Sequence, residues 1–203
     1  GDFYDFSLLE GGRLYFAIGD ASGKGVPAAL FMAVTRTMIK ADAVKGHPPD
    51  KCLSEANRIL CMENEFSMFI TAFCGMLDIG TGEVSYSNGG HKLPFVLRAG
   101  GEVETMPTTD GIALGVLEDD SLYGIGRMKL DPGDTIFLYS DGVTEAMNRN
   151  LELFTDKRLA NVLAGADTDT PKDAVEAALA AVDVFSEGVP PADDMALLAI
   201  RYN

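Results

Sequence analysis

Histidine and cysteine are scarce in this chain, and its cations are outnumbered. There are two His and three Cys in 203 residues. The cysteines, Cys52, Cys61 and Cys74, are odd in number and form no C-x-x-C pair. Neither a disulfide framework nor a zinc knuckle is indicated. Reduced thiols in a cytoplasmic setting are the default expectation. Sixteen Lys and Arg stand against 31 Asp and Glu, a formal net charge of −15. That disfavours nucleic acid, whose phosphates need a basic surface. It equally disfavours direct contact with anionic membrane. No apolar run approaches the ~20 residues of a membrane span, and no signal peptide is visible. Internal repeats, low-complexity tracts and linkers are also missing from the sequence.

These absences leave a single globular domain over residues 1–203, with 47% apolar residues to build its core. The chain opens on Gly1-Asp2, already inside a patterned segment. It reads as a domain excised from a longer chain with an upstream regulatory region.

The first pattern is a hairpin. Phe3 to Leu9 and Arg13 to Gly19 read as strands around the turn Glu10-Gly11-Gly12. Centring the turn near Gly11 sets Asp2 opposite Asp20 and Tyr4 opposite Ile18. Parity puts the two carboxylates on one face, with Cβ atoms about 4.5–5.5 Å apart. Like charges so placed call for a cation between them or a proton on one. Asp5 has the opposite parity and faces the other way.

Helices are expected from Val26-Pro27 and from Pro49-Asp50. Strands follow at Met68 to Asp78, Glu83 to Asn88, Leu93 to Arg98, Tyr123 to Leu130 and Thr135 to Ser140. Helices cover Thr155 to Leu163 and Pro171 to Phe185. Met195 to Arg201 closes the chain as an apolar, and so central, strand. Met32, Met38, Met62 and Met68 read as core filler. Successive hairpins with helix pairs inserted as blocks predict an α+β fold. Its expected form is a four-layer αββα sandwich, two mostly antiparallel sheets flanked by helix pairs.

The Gly-rich run Gly19 to Gly25 is not a Walker loop. Three residues rather than four precede Gly-Lys, and Gly25 stands where Ser or Thr is needed. Its glycines free the backbone beside Asp20. Asp141-Gly142 and Asp193-Asp194 could each be a simple turn. What raises them above that reading is position. Asp2, Asp20, Asp141 and Asp193 all lie at ends of apolar strands, and antiparallel neighbours can gather such ends at one sheet edge. An all-oxygen donor set suits Mg²⁺ or Mn²⁺ and argues against zinc or copper. His47 reads as surface. His91 is either functional or a brace for its turn. No Ser/His/Asp order or Cys/His pair suggests nucleophilic catalysis.

Six motifs stand in order along the chain: Gly1-Asp2-Phe3-Tyr4-Asp5, Ile18 to Gly25, Pro27-Ala28-Ala29-Leu30, Asn88-Gly89-Gly90-His91, Tyr139 to Glu145, and Asp193-Asp194-Met195. Together they resemble the metal-dependent protein phosphatase 2C superfamily, in its bacterial SpoIIE-type serine/threonine phosphatase branch. The resemblance spans essentially the whole chain. It implies two Mn²⁺ or Mg²⁺ ions, with Asp20 bridging both. Asp2 and the backbone carbonyl of Ala21 would serve one ion, Asp141 and Asp193 the other. Asp194 is the alternative to Asp193. Asp20, Asp2 and Asp141 would be the catalytic set.

The implied reaction is hydrolysis of a phosphoserine or phosphothreonine ester on a protein, an antagonist of an anti-sigma factor, in bacterial signalling. The implied context is an upstream sensor or dimerisation domain, with a homodimer allowed. Three departures stand out. Asn-Gly-Gly-His replaces the usual Asn-Ala-Gly-His. Ala196 stands where Thr is common. The His that serves as general acid in eukaryotic relatives has no match. A catalytically weak or inactive module that binds proteins is the alternative function.

Overall fold

A computed structural model describes residues 1–62, 67–119, 122–166 and 169–203. Its elements in chain order are β1 (Asp2–Leu9), β2 (Arg13–Ala21), α1 (Val26–Val44), α2 (Pro49–Met62), β3 (Ile70–Asp78), β4 (Glu83–Gly89) and β5 (Phe95–Leu97). Then come β6 (Val103–Thr105), β7 (Gly126–Lys129), β8 (Thr135–Tyr139), α3 (Asp141–Thr144), α4 (Thr155–Gly165), α5 (Pro171–Ser186) and β9 (Leu197–Arg201). They form two compact units, Gly1–Leu93 with Pro107–Lys129, and Pro94–Met106 with Leu130–Asn203.

The first unit is built on a five-stranded antiparallel sheet in the order β1-β2-β3-β4-β7. Gly11 and Gly12 both take positive φ, which lets three residues reverse the chain between β1 and β2. The resulting register pairs Asp2 with Asp20 and Tyr4 with Ile18, as the sequence predicts. Side-chain alternation then sorts the sheet. Phe3, Tyr15, Ala17, Cys74 and Met76 face α1 and α2 and build a core with Ile39, Leu53 and Ala56. On the other face Phe16, Phe73 and Tyr86 stack in sequence, with centroids 6.5 and 5.5 Å apart. Helix α1 carries Pro27 in its first turn, where the missing N–H costs nothing.

The second unit has a four-stranded antiparallel sheet in the order β6-β5-β8-β9. Phe95, Leu97, Phe137 and Tyr139 pack with Leu159, Leu163, Ala174, Ala178 and Val182 of α4 and α5. A capping box fixes the start of α5. Thr170 Oγ1 accepts from the Asp173 N–H, and the Asp173 carboxylate accepts from the Thr170 N–H.

The expected α+β class and antiparallel pairing are present. Three expectations need correction, and two short elements had no expectation. The last strand, β9, is an edge of its sheet rather than central, and the internal, fully buried strands are β5 and β8. Leu197 and Ala199 pack on the helix-side core while Ile200 is buried on the other face. Apolarity on both sides reported covered faces, not paired edges. The strand expected over Tyr123 to Leu130 shrinks to Gly126–Lys129, because Gly124 instead donates to the Asp110 carbonyl in a loop contact. The short strand β6 and the single turn α3 carry too few residues to show a period. Met62 is exposed, although Met32 and Met38 pack against the core as expected.

Candidate metal centre

The acidic residues fall into two groups, one in each unit. In the first unit Asp2 and Asp20 are direct cross-strand partners, both half-buried. Gly1 shows what surrounds them. A Cβ added there would lie 2.5 Å from the Ala21 carbonyl oxygen and 3.0 Å from Asp20 Oδ1. Those two oxygens therefore border one small recess, which any side chain at position 1 would fill. Carboxylate and carbonyl oxygens converging on such a recess are the donors that hard divalent cations take. The residues fit the implied metal.

Neighbouring strands hold this corner. The Phe3 ring lies across Gly19, where an added Cβ would come within 2.5 Å of it and 2.6 Å of the Thr71 carbonyl oxygen. Beyond the turn, Gly23 and Gly25 take positive φ, so the glycine run does free the backbone after Asp20. Lys24 is exposed. On the other side of Asp20, its β3 partner Thr71 places Oγ1 2.8 Å from His91 Nδ1. His91 is buried, and its turn is braced by Asn88. The Asn88 side chain accepts from the His91 N–H and donates to the His91 carbonyl, both at 2.9 Å. His91 thus belongs to the wall next to Asp20. His47 sits at the α1–α2 turn, with Nδ1 3.3 Å from Asp42 Oδ1.

In the second unit Asp141 opens α3, half-buried. A Cβ on Gly142 would lie 1.9 Å from the Asp194 carbonyl oxygen. Only glycine allows these two stretches of backbone to touch. Ser140 fixes the contact. Its N–H donates to the Ala196 carbonyl at 3.0 Å, and its Oγ accepts from the Ala196 N–H at 2.9 Å. The 56-residue gap between the motifs is closed by this bracket. Asp193 and Asp194 are both exposed, and Asp193 Oδ1 accepts from the Asp194 N–H.

The geometry thus brings Asp2 to Asp20 and Ala21, and Asp141 to the Asp193-Asp194 loop. Among the described residues no group of three or more His, Cys, Asp or Glu is gathered to hold an ion. The third oxygen at the Asp2/Asp20 corner is the backbone carbonyl of Ala21. Two contributors escaped the sequence reading, Thr71 and Ser140. Thr71 carries no motif signal. Ser140 sits inside one, but its partner Ala196 is too distant in sequence for spacing to reveal it.

Known proteins share the family and the fold. The family model for stage II sporulation protein E (SpoIIE) matches residues 10–203. The protein IcfG of Synechocystis is 32% identical over 190 residues, covering 80% of this chain and 30% of that protein. The phosphoserine phosphatase RsbU of Bacillus subtilis is 31% identical over 150 residues, covering 74% of this chain and 44% of RsbU. The chain spans less than half the length of either relative. Among solved structures, the RsbU and RsbW domains of a Mycobacterium tuberculosis protein superpose with a TM-score of 0.82 at 26% identity, covering 99% of this chain and 56% of that one. The PP2C phosphatase domain of B. subtilis SpoIIE superposes with a TM-score of 0.85 at 20% identity, covering 98% of this chain and 58% of that one, which shows a shared fold. With a family model matched over nearly its whole length, the chain belongs to the SpoIIE family.

Proposed function

We propose that this chain is one catalytic domain that hydrolyses phosphoserine or phosphothreonine on a protein substrate in bacterial signalling. The reading rests on one observation above the others. Two carboxylates stand opposite each other across β1 and β2, beside a recess bordered by the Ala21 carbonyl. Like charges in that position destabilise the hairpin by themselves. A hard cation turns the repulsion into attraction, and Mn²⁺ or Mg²⁺ matches the donors.

In this reading Asp2, Asp20 and the Ala21 carbonyl are ligands from the first unit. Asp141 and Asp193 are ligands from the second, with Asp194 as the alternative to Asp193. Two ions are proposed, with Asp20 serving both. Bound there, such ions supply Lewis-acid stabilisation of phosphoryl charge and activate water at neutral pH. The chain's own work is to hold oxygens in place. Phe3 across Gly19 fixes the Asp2/Asp20 corner. Thr71 and His91 wall its far side. The Ser140–Ala196 bracket keeps Asp141 beside the acidic loop. No side chain here is assigned as a nucleophile, so no covalent phosphoenzyme is required.

The proposed substrate is a phosphorylated antagonist of an anti-sigma factor, and the proposed setting is a longer cytoplasmic chain with an upstream sensor or dimerisation domain. The name of the RsbU relative supports the phosphoserine chemistry. The test is hydrolysis of p-nitrophenyl phosphate with Mn²⁺, with Mg²⁺ and with chelator. Activity should need a divalent ion, and Asp20→Asn should lower kcat at least about 100-fold, or about 2.7 kcal/mol. Turnover that survives both chelation and the substitution sinks the proposal. No turnover by the unaltered chain with either ion, on this ester and on a phosphoprotein panel, favours the alternative of a protein-binding module.

A further inference from the structure

The first unit has a second feature at the other end of its sheet. Asp20 and Arg13 lie seven residues apart on β2, about 23 Å at a strand's rise. Around Arg13 a cavity of about 430 Å³ opens on the helix-bearing side of the sheet. Its lining follows from register. Arg13 pairs with Asp78, Glu83 with Lys129 and Ser85 with Arg127. Arg13 shares the parity of Tyr15, which faces the helices. Charged side chains thus project past the start of α2, where Pro48 completes the wall.

Three cations line this cavity in a chain whose net charge is −15. The bland reading is cross-strand ion pairing, and for the two arginines the contacts do not support it. Asp78 spends Oδ1 on the N–H groups of Gly80 and Thr81, both at 2.9 Å. Among the described residues neither Arg13 nor Arg127 forms an ion pair. Nor is Arg13 left loose. A Cβ on Gly46 would lie 3.4 Å from Arg13 Nη2, so the guanidinium rests against the α1–α2 turn. Met76 gives the cavity a buried apolar floor, and Ile125 lines it as well.

The volume falls within the range of small-molecule sites. Guanidinium forks bind planar oxyanions in pairs of hydrogen bonds. Arg13 and Arg127 offer two such forks, which suits one small oxyanion. We propose that this cavity binds a small organic anion. Its carboxylate or phosphoryl oxyanion would sit between Arg13 and Arg127, and its apolar part on Met76 and Ile125. The site is independent of the acidic corner at the other end of β2.

The test is an amide chemical-shift titration of the metal-free chain with benzoate, with phenylphosphonate and with benzamide. The first two probes separate a carboxylate from a phosphoryl source, and benzamide is the uncharged control. Saturable shifts are expected at Arg13, Gly46, Ser85 and Arg127 with at least one anion, with a dissociation constant of about 1 mM or tighter. The Arg13→Gln/Arg127→Gln double variant should keep the spectrum of the folded chain and bind at least about 10-fold more weakly. Shifts confined to the Asp20 end overturn the proposal. So do benzamide binding as tight as the anions, unchanged affinity in the double variant, and no saturable shift with any probe. Loss of phosphatase activity is read separately, at Asp20, so the two proposals fail independently.

Discussion

Gly142 is the residue on which the second acidic group depends. Its α-carbon lies so close to the Asp194 carbonyl that a methyl group has nowhere to go, and the obstructing atom is backbone. Gly142→Ala should therefore push α3 away from the Asp193-Asp194 loop. The expected cost is about 2 kcal/mol of stability. A larger relative rise is expected in the concentration of Mn²⁺ needed for half-maximal hydrolysis. Denaturant melts and a metal titration of activity check both, and an unchanged metal requirement would show that the contact positions nothing. The Asp-Gly dipeptide was visible in sequence, but it reads equally well as an ordinary turn. Its meaning lies in the Ser140–Ala196 bracket, a long-range pairing that no local pattern encodes. Asp2 and Asp20 were legible for the opposite reason. A three-residue turn and a period of two are local rules, and together they predicted the register.

At the scale of elements, helix α1 is tied to β1 through Asp5. Lys40 Nζ lies 2.9 Å and Arg36 Nη2 3.3 Å from Asp5 Oδ1, and the carboxylate is 5% exposed. Removing the anion leaves two cations that already reach solvent in part, so they recover hydration. Asp5→Ala should cost about 2 kcal/mol, below the loss from a fully buried pair. Lys40→Met should cost less, because Arg36 still partners Asp5. Reversed ranks in equilibrium unfolding would refute this account. In the other unit Asp134 joins β5 to β8. Burial alone would raise its carboxyl pKa. The N–H groups of Asp131 and Ala99 and the Arg98 guanidinium outweigh burial and hold it below the ordinary carboxylate value. A depressed folded pKa means stability that is present above the unfolded value and lost as pH falls through the folded one. The denaturation midpoint should drop as pH falls below about 5 and on through the depressed folded value, and Asp134→Asn should flatten that decline. Parity alone assigned Asp5 to the far face, whereas its partners, 31 and 35 residues away, were invisible to it.

For the molecule as a whole, the charge balance predicts a response to metal. An excess of acidic side chains, some held face to face, should be relieved by a bound divalent ion. At about 100 times the dissociation constant the ion adds about 2.7 kcal/mol of stability. For ~200 residues that is a rise in Tm of about 5–10 °C. Calorimetry with and without Mn²⁺ checks it, and the Asp2→Asn/Asp20→Asn double variant should lose most of the gain. An equal rise in that variant would place the binding elsewhere. Fold class was readable because composition, turn residues and alternation agreed. The edge position of β9 was not, since an apolar strand reports covered faces and says nothing about neighbours.

The reversal at Glu10-Gly11-Gly12 has a reach that its size conceals. Deleting Gly11 would offset the two strands by a single step and turn Asp20 toward the helices while Asp2 stayed in place. Chemistry at one tip of the hairpin is thus indexed by a count of residues at the other. A chain shortened there could remain fully folded and still have lost its alignment for work.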